Sequence, residues 1–346
     1  MKKLLLSAAF VCVATISANA QQLLSDNFDS YTVGNVGTDL TGATPGQGDW
    51  YTLVPAGGSN SNFQFVAETG RGNVFTIEST NQPPAATGQP GNYRLASKIG
   101  FDNAMWNTKA TGNNILKVEY EFYTGAATTS KATHRMSVSS ANRTIGGFTY
   151  VPETRMLHGL AYANPQGGSG AGLYNINLAT GGLVLDANTW YKVTFFVDFS
   201  TSKATWQIPA KNINGTFDLV SVASEAPADI SFVAIAGANN AAASTIKYDN
   251  YLVSAVNTTT ATVNDIVSTK FNVYPNPATD VITITNTESI GIDKITVTDI
   301  NGRIVKTNNY SQQAEIQLNV SDLNAGVYIL NVSTKEGTAT KKIIKK

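Results

Sequence analysis

Residues 117–123 read KVEYEFY, with apolar and polar side chains in strict alternation. A period of two residues predicts a β-strand with one buried face and one polar face. Val118, Tyr120 and Phe122 share the apolar face, and the charged side chains lie opposite. The strand is therefore expected to lie in a sheet that covers a core on one side only.

Residues 190–199, WYKVTFFVDF, repeat this alternation, and the turn at 198–203 leads into a partner strand at 204–208. Other short apolar runs are separated by Gly, Asn, Pro and Ser clusters, without sustained helical periodicity. Many short strands joined by turns are typical of a β-sandwich or jelly roll. We interpret Trp190 and Trp206, which lie within these strands, as core residues.

The composition of the 346-residue chain agrees with a β-rich globular protein. Only 14% of the residues are charged, 42% are hydrophobic, and 24 basic residues balance 24 acidic ones. The apolar content is too high for a disordered chain. The neutral balance provides no electrostatic attraction for nucleic acid or for an anionic membrane, so neither is expected as a partner.

The N-terminus has the layout of a secretory signal peptide, predicted at residues 1–20. Two lysines precede the apolar run Leu4 to Ile16, and small residues precede a cleavage site before Gln21. A lipoprotein signal with Cys12 as the acylated residue is disfavoured, because the residue before it is not small. Cleavage leaves no cysteine, and no other apolar run is long enough to span a bilayer.

The polar, threonine-rich residues 257–269 predict a linker between two domains. The preceding segment, 21–256, is long enough for a jelly roll of many strands. The following segment, 270–346, contains alternating runs around Asn301-Gly302, a strong β-hairpin signal. We interpret it as a small, separate β-sandwich.

The larger segment resembles the concanavalin A-like (laminin-G-like) jelly-roll superfamily. The resemblance is carried by residues 23–31 (LLSDNFDSY), 189–193 (TWYKV) and 246–253 (IKYDNYLV). It implies a jelly-roll sandwich for this segment. With the small sandwich predicted for residues 270–346, which we expect to be immunoglobulin-like, the fold class expected of the chain is all-β. That superfamily contains lectins, carbohydrate-binding modules and glycoside hydrolases, so the fold alone does not choose a function.

The last segment resembles the type A C-terminal sorting domain of the type IX secretion system. The matching motifs are YPNP (274–277), DINGR (299–303) and LNAGVY (323–328), before a lysine-rich end. The motif residues are Pro275, Asn276, Pro277, Asp299, Gly302, Arg303, Leu323, Gly326 and Tyr328. A generic fibronectin-like stalk module is the alternative.

This resemblance implies a Bacteroidota-type cell and export in two steps. The signal peptide would direct the chain to the periplasm, and the type IX secretion machinery would then recognise the sorting domain. A surface sortase would remove this domain near the linker, and the product would be secreted or attached to the cell surface.

Glu119 and Glu121 form the pair that most resembles a glycosidase acid and nucleophile. Two residues apart on a strand, their Cα atoms are about 7 Å apart on one face. Superfamily hydrolases usually carry a third acid there, which is missing here, so a solvated polar face is the favoured interpretation. His134 and His158 are too few for a histidine-rich metal site, and we interpret both as polar surface or strand positions.

Sugar binding is a second hypothesis, because aromatic rings stack on pyranose rings and polar side chains bind hydroxyl groups. The candidate rings lie in or beside polar loops: Trp50, Trp106, Tyr162 and Tyr174. For each of them a core or loop-anchoring role is the alternative.

A structural calcium ion is a further expectation. The first and last strands of a jelly roll tend to be neighbours, which would bring Asp26 close to Asp249. Carboxylate, amide and carbonyl oxygens are the ligands that Ca²⁺ prefers. A network of Asx turns without an ion is the alternative.

The hypothesis favoured by these observations is an exported, non-catalytic carbohydrate-binding or adhesion module that carries a type IX sorting domain. Enzymatic activity stays open, the first alternative being a secreted glycoside hydrolase or lyase that uses the two glutamates. A structural surface or biofilm protein is the second. An exposed aromatic patch would favour the binding module, and a groove lined by the glutamates would favour the enzyme.

Overall fold

The computed structural model describes residues 20–55, 57–83, 92–98, 101–165, 170–259, 271–286, 290–299, 303–334 and 337–346. The chain divides into two compact units, Met1–Thr259 and Thr260–Lys346, each with a hydrophobic core. The predicted signal peptide up to residue 19, and the predicted linker from residue 260 onward, lie outside the described residues. Among the helices in the described ranges, none has the length and apolar character needed to cross a membrane.

The larger unit consists of antiparallel strands joined by turns and a few short helical turns. The single α-helical turn of its described part is α1 (Asn103–Trp106). The strands are β1 (Gln21–Asp26), β2 (Gly34–Asn35), β3 (Trp50–Leu53), β4 (Phe63–Glu68), β5 (Gly72–Glu78), β6 (Tyr93–Lys98), β7 (Ile115–Tyr123), β8 (Thr133–Ser140), β9 (Thr144–Val151), β10 (Met156–Ala163), β11 (Gly172–Asn177), β12 (Leu183–Val184), β13 (Trp190–Asp198), β14 (Lys203–Ile208), β15 (Ile213–Asp218), β16 (Pro227–Ile235) and β17 (Thr245–Val256).

These strands form two sheets that face each other across one core. Sheet A has the order β15-β14-β13-β7-β17-β5-β4-β2, with β1 also paired to β17. Sheet B has the order β11-β10-β9-β8-β16-β6-β3, with β12 also paired to β10. The arrangement confirms the predicted all-β jelly-roll sandwich, including the neighbouring first and last strands.

The alternating sequence of β7 gives the strand one face toward the core and one face toward the outside of sheet A. Val118, Tyr120 and Phe122 are buried in the core, and the residues between them are only half-buried on the outer face. The prediction for Trp190 was wrong, because its ring lies half-buried on the same outer face. Trp206 is a core residue, as predicted.

The two sheets approach closely where sheet B carries glycines. A Cβ atom on Gly159 would lie 2.6 Å from Cε2 of Trp206, and one on Gly146 would lie 2.8 Å from Cζ of Phe195. The indole Nε1 of Trp206 donates a hydrogen bond to the carbonyl oxygen of Gly147 at 2.6 Å. Glycine inside these strands therefore makes room for the large rings of the opposite sheet.

The smaller unit is a separate small sandwich of two sheets, as predicted. Its strands are β18 (Phe271–Tyr274), β19 (Val281–Asn286), β20 (Ile292–Asp299), β21 (Ile304–Gln313), β22 (Glu315–Asn319), β23 (Gly326–Thr334) and β24 (Gly337–Lys345). Sheet C has the order β18-β19-β22, and sheet D has the order β21-β20-β23-β24. Alternating aliphatic residues such as Ile282, Ile284, Val297 and Leu330 fill the core between the two sheets.

Candidate functional site

Glu119 lies on the outer face of sheet A between two lysines. Its carboxylate contacts Nζ of Lys192 at 2.8 Å and Nζ of Lys117 at 3.2 Å. Burial favours the neutral acid, but the two ammonium groups outweigh burial and lower the pKa of Glu119. A general acid at neutral pH needs a raised pKa instead, so this environment does not suit that role.

Glu121 is held by Arg71, whose guanidinium also contacts Asp249. The ion-pair distances are 2.5 Å to Glu121 and 2.8 Å to Asp249. The same guanidinium lies 4.0 Å above the ring centroid of Trp190, a cation–π contact that stabilises it further. The outer face of sheet A is therefore a network of compensated charges, and the two glutamates do not form an acid–nucleophile pair.

Asp26 and Asp249 do not fit a calcium ion in this arrangement. Asp26 forms an ion pair with Lys98 and accepts hydrogen bonds from Trp50 Nε1 at 2.9 Å and from the Tyr31 hydroxyl at 2.6 Å. Asp249 is paired with Arg71. Because a cationic side chain already neutralises each carboxylate, neither offers free oxygens to a metal. Within the described ranges no three acidic, histidine or cysteine side chains cluster as metal ligands.

The structure places none of the four predicted sugar-stacking rings in an exposed position. Trp50 and Trp106 are buried, at 1% and 3% exposure. Tyr174 is half-buried against the core, and its hydroxyl donates to the Gly170 carbonyl oxygen at 2.7 Å. Tyr162 lies on the outer face of sheet B, where the Arg143 guanidinium covers its ring at 4.4 Å. The alternative role, as core or loop anchor, describes these residues better.

The outer face of sheet B carries a row of polar atoms without partners. The register places Thr149 on β9 directly opposite Arg135 on β8 and opposite His158 on β10. Their neighbours in each strand point into the core, so these three side chains share the outer face. Each of these side chains has a buried polar atom without a hydrogen-bond partner: Nε of Arg135, Oγ1 of Thr149 and Nδ1 of His158. We call Arg135, Thr149 and His158 the polar row.

The electrostatics of the polar row are unusual for a protein surface. Burial lowers the pKa of the Arg135 guanidinium. Burial also lowers the pKa of His158, although the Asn177 side chain opposite acts in the other direction. His158 is therefore neutral at pH 7, and Arg135 has no acidic partner within the part of the chain that the structure describes.

A second row of polar side chains lies beside the first. It is displaced by two residues along the strands, which is about 7 Å. It consists of hydroxyl groups on four adjacent strands, Ser137, Ser231, Ser97 and Tyr51. Asp229 lies two residues before Ser231 on the same face; burial raises the pKa of Asp229, and hydrogen bonds with Ser231 and Ser97 act against that effect. The two rows, with Asn177 opposite His158, form the candidate site. It is an array of hydroxyl, amide, imidazole and carboxyl groups that includes one guanidinium without an ion-pair partner among the described residues.

A polar cavity of about 330 Å³ at one end of the larger unit is less suited to a ligand. One of its lining residues, Arg94, donates to the Asn62 side chain at 3.1 Å and to the carbonyl oxygens of Gly57 and Tyr93 at 3.1 Å each. These contacts hold the loop before β4 in place. We interpret Arg94 as a structural residue.

In the smaller unit, the YPNP motif holds the last strand. Asn276 Nδ2 donates to the carbonyl oxygen of Lys342 at 3.0 Å, and its Oδ1 accepts from the Ile344 amide at 2.8 Å. The Ala278 amide donates to the Ile344 carbonyl oxygen at 2.7 Å. The segment with Pro275 and Pro277 thus supplies β24 with hydrogen-bond partners on its free edge, which otherwise would be open to another chain.

The other two motifs close turns of the smaller unit. Asp299 accepts hydrogen bonds from the backbone amide and from Nε of Arg303, at 3.0 and 3.1 Å; Gly302 lies outside the described residues. Leu323 and Tyr328 are buried, and the Tyr328 hydroxyl donates to the Asn324 carbonyl oxygen at 2.9 Å across the turn before Gly326. Each motif therefore has a structural role inside the sandwich.

Sequence reasoning missed Arg135 and Thr149, although a signal for them exists. Residues 133–138 read THRMSV and alternate, which puts Arg135 on the polar face. The missing information was which strands lie beside it, because only their register shows that no acid faces the guanidinium.

Comparisons with known proteins give one family match. Residues 272–346 match the sequence profile of the secretion system C-terminal sorting domain family. Among curated proteins, no sequence matches the chain.

Similar solved structures are remote. Alginate lyase A1-II′, of polysaccharide lyase family 7, is 10% identical, with a TM-score of 0.42 over 61% of this chain and 96% of that one. The binding domain of botulinum neurotoxin DC in complex with rat synaptotagmin II is 9% identical, with a TM-score of 0.41 over 84% and 68%. A sialidase is 10% identical, with a TM-score of 0.39 over 65% and 19%. Likeness at this level supports no conclusion about activity.

The family match and the three motifs in their structural roles agree with each other. The matched range begins at the first strand of the smaller unit and includes both of its sheets. Residues 272–346 are a type IX secretion C-terminal sorting domain, which indicates export of the chain to the cell surface or into the medium.

Proposed function

We propose that the larger unit is a non-catalytic glycan-binding or adhesion module, and that it binds its ligand on the outer face of sheet B. The observation that carries this proposal is the polar row, in which three neighbouring buried polar atoms have no hydrogen-bond partner. Buried polar groups are nearly always paired, so such a cluster indicates groups that a ligand or ordered water completes.

The chemistry of the face supports a sugar ligand. Hydroxyl, amide and imidazole side chains on adjacent strands match the alternating donors and acceptors of a glycan. The absence of exposed tryptophan from the described part of the larger unit argues against binding by ring stacking. Recognition would depend on hydrogen bonds along the flat sheet.

The enzyme alternative that uses Glu119 and Glu121 has no support from the contacts of either residue, since both carboxylates are paired with cations. A purely structural surface role is the remaining alternative. It predicts that no glycan binds, so the same experiment separates it from the proposal.

The experiment is a glycan array on the full secreted chain, with a parallel assay for release of reducing ends. Binding without cleavage is expected, and His158→Gln should weaken it. The matched control is His134→Gln, the same substitution on the core side of the same sheet, which should leave binding unchanged when the protein is folded. No binding to any glycan, or equal binding by both variants, would contradict the proposal.

For the smaller unit, we propose that the type IX machinery recognises residues 270–346 and that a surface sortase cuts within residues 257–269. Expression of residues 1–269 in a type IX-competent cell should leave the product in the periplasm. The full chain should reach the surface or the medium. Undiminished export of the shorter chain would contradict this role.

A further inference from the structure

Arg135 lacks the counter-ion that several other half-buried cationic side chains of the larger unit have. Arg71, Arg143 and Lys192 each form an ion pair with an acid. Arg135 makes no ion pair, hydrogen bond or ring contact with any residue in the described ranges. A half-buried guanidinium without compensation is unfavourable, because it loses hydration and gains nothing in return.

The residues around Arg135 explain why no compensation comes from the protein itself. Its cross-strand neighbours are Thr149 on one side and Val233 on the other, both uncharged. The nearest acid on this face along β16 is Asp229, four residues from Val233 and therefore about 13 Å away along the strand. At that distance the carboxylate of Asp229 forms no ion pair with the guanidinium.

On this face the groups nearest to the guanidinium are neutral: Thr149 lies across one strand boundary, and Ser137 lies two residues along β8. Farther along the same row of strands, His158 and Asn177 face each other. A ligand that satisfies the whole face must therefore combine many hydroxyl groups with a negative charge placed at Arg135. The planar guanidinium fork suits a carboxylate or sulfate group, to which it can donate two parallel hydrogen bonds.

We infer that the ligand of the sheet B face is an acidic glycan, whose carboxylate or sulfate group pairs with Arg135. This inference rests on the proposed function and narrows it to one class of sugar. Neutral glycans would leave the guanidinium uncompensated and bind more weakly.

The test compares an oligogalacturonate, its methyl ester and a sulfated oligosaccharide by calorimetric titration of the full chain. The methyl ester keeps the sugar backbone but removes the charge. We expect at least one acidic probe to bind about tenfold or more tightly than the ester, the effect of one charged hydrogen-bonded contact. The stronger of the two acidic probes identifies the anionic group.

Two variants locate the contact. Arg135→Gln should abolish the difference between acid and ester, and Arg135→Lys, which keeps the charge but not the fork, should restore part of it. Lys131→Gln, an exposed lysine just before β8, is the control for general electrostatic attraction and should change little.

The outcomes separate this inference from the proposed function. Equal affinity for acid and ester, or an unchanged preference in Arg135→Gln, would overturn the acidic ligand while leaving glycan binding intact. Failure of every glycan to bind, neutral or acidic, would overturn both.

Discussion

Trp206 of sheet A lies directly against Gly159 of sheet B, so close that a Cβ atom on the glycine would be 2.6 Å from the indole ring. We expect Gly159→Ala to force the ring or the strand to move and to lower the free energy of unfolding by about 1–3 kcal/mol. Urea denaturation of the full chain measures this change.

Gly215 provides the matched control for that substitution. It lies opposite Trp206 on β15, and a Cβ atom there would meet nothing within 4 Å. Gly215→Ala should leave the unfolding free energy nearly unchanged. Equal effects of the two substitutions would show that the close approach of the sheets is not what requires glycine at 159.

Arg135→Met should stabilise the unliganded protein while removing its affinity for acidic ligands. The substitution replaces an uncompensated half-buried cation by an apolar side chain of similar length, so we expect a gain of about 1 kcal/mol. Thermal and urea unfolding without ligand measure the gain. A clear loss of stability would mean that Arg135 has a structural role, and that the polar row is not a ligand site.

His134 should make the stability of the larger unit depend on pH. Burial lowers the pKa of His134 from 6.5 to about 3, against a hydrogen bond with Ser244. The unfolded chain therefore takes up a proton below about pH 6.5 that the folded chain does not, so this stability is present above pH 6.5 and is lost as the pH falls toward 3.

His134→Gln should reduce that dependence, because glutamine keeps a polar group near Ser244 but does not titrate. Between pH 7 and pH 5 we expect the wild type to lose about 2 kcal/mol more than the variant. Urea midpoints at the two pH values measure the difference. Parallel losses in both proteins would show that His134 is protonated in the folded state as readily as in the unfolded one.

Asn276→Ala should release the last strand of the sorting domain. The substitution removes the hydrogen bonds to the carbonyl oxygen of Lys342 and the amide of Ile344, at about 0.5–1.5 kcal/mol each. Faster hydrogen exchange of β24 amides in the full chain is the direct readout, and reduced export is expected with it. The control is Asn272→Ala, because Asn272 is an exposed residue of β18 without such contacts. In that variant the β24 amides should exchange as they do in the wild type.

The prediction from sequence worked best where local patterns carry the information. Alternation in KVEYEFY identified the buried face of β7, because neighbouring side chains in a strand point to opposite sides whatever the rest of the fold. The three motifs of residues 270–346 identified the sorting domain, because their spacing is contained in one short segment. Trp50 and Trp106, expected to stack on sugar rings, are buried. Their position beside polar loops did not reveal this, because a polar loop next to a ring does not show which way the ring points.

Local pattern thus established the strands, their two faces, the all-β class and the export segment, since each depends on residues close together in the chain. The pairing of distant strands decided the candidate site. Glu119 lies opposite Thr194 and between two lysines, whereas Arg135 lies between Thr149 and Val233. Both residues occupy polar positions of alternating strands, and the alternation alone does not distinguish them. A charge is compensated only by neighbours across the sheet, and the folded topology selects those neighbours.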